Sequence, residues 1–151
     1  MSKKMLDLDW MLLLFVVPLL LLNMTLKSAG SQPAFKSSLL AQAKAAVKSV
    51  SAADVKAAID KKEKAIYLDV RTPEAYESGH LPGAINLPNR ILKSKISGLI
   101  PDKNTKIYVY CLEIRLSPLA TKTLNDLGYK NAVLMDATLE DWIKAGYPME
   151  R

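Results

Sequence analysis

The chain has 151 residues, half of them apolar, which is enough for one domain with a sizeable core. Its net charge of +6 is spread along the sequence with no aromatic-interleaved basic stripe, so the excess reads as a solvated surface and no nucleic-acid partner is expected. A single cysteine, Cys111, excludes an internal disulfide and a Cys-x-x-Cys redox pair; a single histidine, His80, leaves no His cluster for a metal, so neither metal nor other cofactor is expected.

The N-terminus begins with a small basic head, Met1-Ser2-Lys3-Lys4, and Trp10 to Leu22 is then unbroken apolar sequence. Extended to Leu26 it covers 17 residues, about 26 Å as a helix and slightly short of a bilayer core. Residues 1–26 are therefore predicted to form one apolar helix, and two readings of it stay open. It is an uncleaved anchor through residues 10–26, or a signal peptide cut near Gly30, where Ser28-Ala29-Gly30 supplies small residues. Lysines before the span put the N-terminus inside and the rest of the chain outside the cytoplasm, in a periplasm or its equivalent. Residues 27–36 read as a linker by composition, and residues 37–151 as the domain.

Within the domain, Ser37 to Val47 is predicted as an amphipathic helix with Leu39, Leu40, Ala43 and Val47 on one face. Ser51-Ala52-Ala53-Asp54 has the form of a capping box and opens a second helix, with Val50 placed to staple it. Ala65 to Val70 reads as a buried strand, followed by Thr72-Pro73 as the cap and first residue of a helical turn. Gly79 to Ala84 is turn-rich and leads to a short strand, Ala84 to Leu87. A helix from Ile91 to Leu99 turns Leu92, Ile96 and Leu99 inward. Ile107 to Tyr110 is a β-branched and aromatic strand, Ser117 to Leu127 a helix closed by Gly128, Ala132 to Met135 a strand, and Leu139 to Ala145 a last helix stopped by Gly146 and Pro148. Strands and helices alternate at short spacing, which argues a parallel α/β sheet.

Cys111 stands where the Ile107–Tyr110 strand stops, with Ser117-Pro118 beyond it as the predicted N-cap and first position of a helix. Ligands bind at this edge of open α/β sheets. Loop N–H groups and the positive end of the helix dipole favour a thiolate or an anion there.

The chain resembles the rhodanese family over roughly residues 47–148. The residues that carry the resemblance are Tyr67-Leu68-Asp69-Val70-Arg71-Thr72-Pro73-Glu74, Gly79-His80-Leu81-Pro82-Gly83-Ala84-Ile85-Asn86, Ile107 to Cys111, and Trp142 to Pro148. The resemblance implies a rhodanese-like α/β fold, with a central, mainly parallel five-stranded sheet flanked by helices. It also implies sulfur transfer: a cysteine thiolate takes a sulfane sulfur from a donor such as thiosulfate and carries it as a persulfide. Cys111 takes the nucleophile position, and Leu112, Glu113, Ile114, Arg115 and Leu116 form the substrate-binding loop. Family loops commonly read Cys-x-x-Gly-x-Arg before a Ser or Thr. Here Ile114 falls at the glycine, Leu116 at the arginine, Arg115 one residue early, and Glu113 brings a negative charge into the cradle. Asp69, Arg71 and His80 are expected to be structural, Arg71 pairing with Glu74 and His80 holding a turn. Trp142, Tyr147 and Tyr110 are expected in the core.

Two functions from different classes follow. The first is a membrane-tethered sulfurtransferase acting on a small sulfur anion or a protein persulfide through Cys111. The second is a catalytically inactive module of this fold, a binding or structural subunit of a membrane protein complex. A phosphatase on the same fold needs an arginine six positions after the cysteine, where this chain has Ser117.

Overall fold

The structure, a computed structural model, describes residues 32–113 and 115–151, with side chains from residue 37 onward. The chain divides into two compact units, Met1–Ser38 and Leu39–Arg151, and the sheet lies in the second. The predicted N-terminal apolar helix falls on residues outside those described. Among the described residues no helix is long and apolar enough to cross a membrane.

In chain order the elements are α1 (Gln32–Ala45), β1 (Ser49–Val50), α2 (Ala52–Asp60), β2 (Ala65–Asp69), α3 (Pro73–Glu77), β3 (Ile85–Asn86), α4 (Asn89–Leu99), β4 (Lys106–Tyr110), α5 (Ser117–Asp126), β5 (Ala132–Met135) and α6 (Leu139–Lys144). The five strands form one sheet in the order β1-β5-β4-β2-β3, and every pairing is parallel. β4 therefore lies in the middle, buried on both faces, which explains its near-continuous apolar sequence.

The two-residue alternation of a strand sorts β4. Ile107, Val109 and, just past the strand, Cys111 join the cluster beneath α4 and α5, with Leu92, Ile96, Ala120 and Leu124. Tyr108 and Tyr110 join the opposite cluster with Val55 of α2 and Trp142 of α6. Trp142 is fully buried, its Nε1–H donating to the Pro148 carbonyl at 2.9 Å and its ring meeting Tyr147 edge-on at 4.9 Å. Trp142 and Tyr110 lie in the core as expected, while Tyr147 is partly buried and packs against it.

The capping box at Ser51 and Asp54 forms as its sequence predicts, and Thr138 with Asp141 makes a second one ahead of α6. Differences from the sequence expectation are local. α1 starts at Gln32, ahead of Ser37, and Leu39 lies exposed while Ala43 is buried. Leu99 faces solvent because Ile100, four residues after Ile96, takes the inward position. β1 is not expected from the sequence, since two residues contain no period. It is specified by its parallel neighbour: Ser49 and Val50 register with Leu134 and Met135 of β5.

One buried ion pair fixes the edge of the sheet where β2 ends. Asp69 and Arg71 are two residues apart at the strand end and so share a side. The Arg71 Nε–H donates to both carboxylate oxygens at 3.0 and 2.9 Å, and Nη2 donates to Oδ2 at 2.6 Å. The same Nη2 donates to the Gly79 carbonyl at 2.7 Å. Gly79 has φ +145°, a conformation that side chains disfavour, so the turn that aims this carbonyl depends on glycine. Arg71 thus pairs with Asp69, not with Glu74; a strand-end neighbour needs no rearrangement to reach it. Asn86 of β3 closes the corner by donating to the carbonyls of Asp69 and Arg71.

Asp69 is fully buried, and removing one member of a buried pair strands the other charge. Asp69→Ala is expected to cost about 3–5 kcal/mol in urea unfolding, through the guanidinium left behind. The capping boxes predict an acid limb. Side-chain hydrogen bonds from Ser51 and Thr138 hold Asp54 and Asp141 below their ordinary value of 3.8. A carboxylate depressed in the folded state stabilises above its unfolded pKa and loses that contribution as pH falls through its folded one. Thermal midpoints should fall on acidification below about pH 4, less steeply in the Asp54→Asn/Asp141→Asn double variant.

Candidate active site

Cys111 follows the last residue of the central strand and begins the loop to α5, which places its sulfur at the carboxyl edge of the sheet. The residue is 3% exposed and unpaired with any other cysteine. Ser117 does not cap α5. Leu116 occupies the N-cap with a right-handed backbone and makes no side-chain cap, and Ser117 is the first helical residue. Its buried hydroxyl lies 3.4 Å from Cys111 Sγ, and its carbonyl accepts from Thr121 Oγ1 at 2.8 Å. The tight turn carries the chain into helical conformation one residue early and leaves the hydroxyl facing the sulfur. Sequence reasoning assigned Ser117 to the helix end and missed this contact; its spacing from Cys111 was the available signal.

The loop meets the sulfur with a carbonyl. The Glu113 backbone oxygen accepts from the Cys111 thiol, and the Arg115 amide donates to the same oxygen at 2.7 Å. The Arg115 amide therefore points into its own loop, away from the convergence on the sulfur that the sequence suggested. The Leu112 carbonyl accepts from the Leu139 amide at 3.3 Å, which ties the loop to the first turn of α6. The Arg115 guanidinium forms an ion pair with the Glu113 carboxylate. These two side chains are 69% and 56% exposed, so the pair adds little stability but brings their charges together. Leu112 and Leu116 are exposed at the rim, and Ile114 lies outside the described residues.

A pocket of about 190 Å³ opens beside the thiol, lined by Arg71, Cys111, Leu112, Glu113, Arg115 and Leu116. This volume suits a few heavy atoms and falls short of drug-sized ligand sites. A second hollow of about 220 Å³ shares Arg71 and Leu116 and extends past Pro88 and Asn89 to Arg90. No local sequence signal marked this second hollow, because three separate segments build it.

The remaining predicted site residues are structural in position. Arg71 lines the pocket wall while its guanidinium is held by Asp69 and Gly79. His80 stacks on Tyr76 at 3.8 Å, places Nδ1 3.0 Å from the Tyr76 carbonyl, and pairs through its backbone with Glu150. Tyr110 accepts from the Leu81 amide at 3.2 Å. Burial, then the charge of Asp69, raises its phenol pKa, so it stays neutral. Among the described residues no group of three or more His, Cys, Asp or Glu is placed to hold a metal ion.

Chemically, a recessed thiol beside a hydroxyl, at the start of a ten-residue helix, can attack a small electrophile that enters the pocket. Comparison with known proteins bears on which. Thiosulfate sulfurtransferase PspE of Escherichia coli is 43% identical over 63 residues, covering 42% of this chain and 61% of that protein. This chain thus spans less than two thirds of that relative's length. Thiosulfate sulfurtransferase GlpE of Pseudomonas putida is 32% identical over 90 residues, covering 60% of this chain and 79% of that one. The crystal structure of thiosulfate sulfurtransferase from Pseudomonas aeruginosa superposes with a TM-score of 0.68 at 28% identity, over 78% of this chain and 22% of that chain. The profile of the rhodanese-like domain matches residues 51–145, from the first capping box to the end of α6. That match covers more than half of the chain and shows that this chain belongs to the rhodanese-like domain family.

Proposed function

We propose that this protein transfers sulfane sulfur through a persulfide on Cys111. The observation that carries the proposal is the sulfur's place: at the end of the central strand, on the wall of a small pocket, 3.4 Å from a hydroxyl and at the start of a helix. The sulfurtransferase relatives support the same chemistry.

The step balances without a redox partner. The Cys111 thiolate attacks the outer sulfur of a donor, and its electron pair forms the new S–S bond. The donor's own bond to that sulfur breaks, and the carrier leaves with the electron pair. With thiosulfate the leaving group is sulfite. A persulfide donor releases a thiolate. A thiophilic acceptor then reverses the sequence and takes the sulfur away. The Ser117 hydroxyl can turn to donate to the attacking sulfur, whereas the Glu113 carbonyl can only accept.

The setting is part of the proposal. Residues 10–26 tether the chain to a membrane, and the domain acts outside the cytoplasm; the apolar run and the lysines before it support this reading. Should the thiol prove inert, a non-catalytic module docked in a membrane complex becomes the better account.

Incubating the purified full chain with thiosulfate or a small persulfide should add the mass of one sulfur atom to Cys111, and cyanide should release that atom as thiocyanate. Cys111→Ser should abolish both signals. Ser117→Ala should slow loading about tenfold, the loss of one hydrogen bond to a charged sulfur. A wild-type protein that gains no sulfur from either donor would rule the activity out. In cell fractionation the full chain should sediment with membranes and a variant lacking residues 5–26 should not. Equal distribution of the two would remove the tether.

A further inference from the structure

We propose that Glu113 decides which sulfur donor the pocket takes, and that it selects the persulfide of a small thiol over the thiosulfate dianion. The inference rests on the sulfur-transfer reading and narrows its substrate class.

Three observations converge. Glu113 lines the pocket, and its carboxylate pairs with the Arg115 guanidinium, the loop's own cation. The Glu113 carbonyl faces the sulfur and also engages the Arg115 amide, so a donor and a cation of the loop both answer to Glu113. The other cation on the wall, Arg71, is neutralised by Asp69 and further held by the Gly79 carbonyl. Each guanidinium lining the pocket thus has a carboxylate of its own.

A dianion entering this space gives up hydration, and among the described lining residues it meets no guanidinium without a carboxylate, while the Glu113 carboxylate repels it. A persulfide on a small thiol brings at most one charge on its sulfurs. Its alkyl carrier fits the apolar rim made by Leu112 and Leu116. In the transfer, Cys111 thiolate attacks the terminal sulfur of R–S–SH. The Cys111–sulfur bond forms, the R–S bond to that sulfur breaks, and R–S⁻ leaves with the bonding pair while the proton stays on the transferred sulfur. Charge is minus one before and after.

The test measures second-order rates of Cys111 persulfide formation by intact mass, with thiosulfate and with hydroxyethyl persulfide, whose carrier is uncharged. In Glu113→Gln the ratio of the thiosulfate rate to the persulfide rate should rise about tenfold through a lower KM for thiosulfate, as Arg115 loses its internal counter-ion. That gain should shrink with added salt. Glu113→Asp keeps the charge and should keep the wild-type ratio. Asp126→Asn removes a carboxylate paired with Lys122 at the far end of α5 and should leave the ratio alone. An unchanged ratio in Glu113→Gln, or an equal rise in Asp126→Asn, overturns the role of Glu113 while leaving sulfur transfer standing. If neither donor loads the wild type, both conclusions fall together.

Discussion

The contact between Asp69 and Arg71 governs the geometry of everything near the thiol. Both side chains are buried, so each charge is tolerable only because the other, with the Gly79 carbonyl, satisfies it. That requirement fixes the exit of β2, the turn through Gly79 and, through Asn86, the end of β3. Since β2 registers residue by residue against β4, with Asp69 opposite Tyr110, the pair also fixes the height at which Cys111 leaves the sheet. Tyr110 adds a second link, reaching across to the Leu81 amide beyond the same turn.

Against this rigid frame the loop from Cys111 to Leu116 has its own electrostatic logic. Rings of inward amides suit anions because the partial charges all have one sign. Here a carbonyl faces the sulfur and a carboxylate holds the nearby arginine. The fold thus sets the position of the thiol, and the loop sequence sets the charges around it. This division matches the general rule that a scaffold is shared while its site is specified locally.

Most of the fold was legible because it is periodic or punctuated. β4 and β5 announce themselves by apolar runs, α4 by Leu92 and Ile96 four apart, and α2 and α3 by Ser51 and Thr72 in capping positions. The thiol's place followed from a strand meeting a loop and a helix. What escaped was non-periodic. Two-residue β1 has no pattern to read. Ser-Pro signals a helix start without saying which residue is the cap, and the tight turn moved Ser117 one place inward to face the sulfur. The direction of the Glu113 carbonyl depends on consecutive irregular backbone angles, which residue type constrains only loosely. The Asp69–Arg71 pair was within reach of simple reasoning, since alternate residues of a strand point the same way.

The depth of Cys111 has a further consequence for how the thiol meets oxidants and other thiols. At 3% exposure, the thiol sits below the rim formed by Leu112 and Leu116, out of easy contact with the cysteines of other proteins. A disulfide between two copies requires the loop to move first, and the sequence holds no second cysteine for a bond within one copy. Burial at this depth slows thiol–disulfide exchange with bulky partners, and a sulfur atom loaded there as proposed would be open to acceptors small enough to enter the pocket.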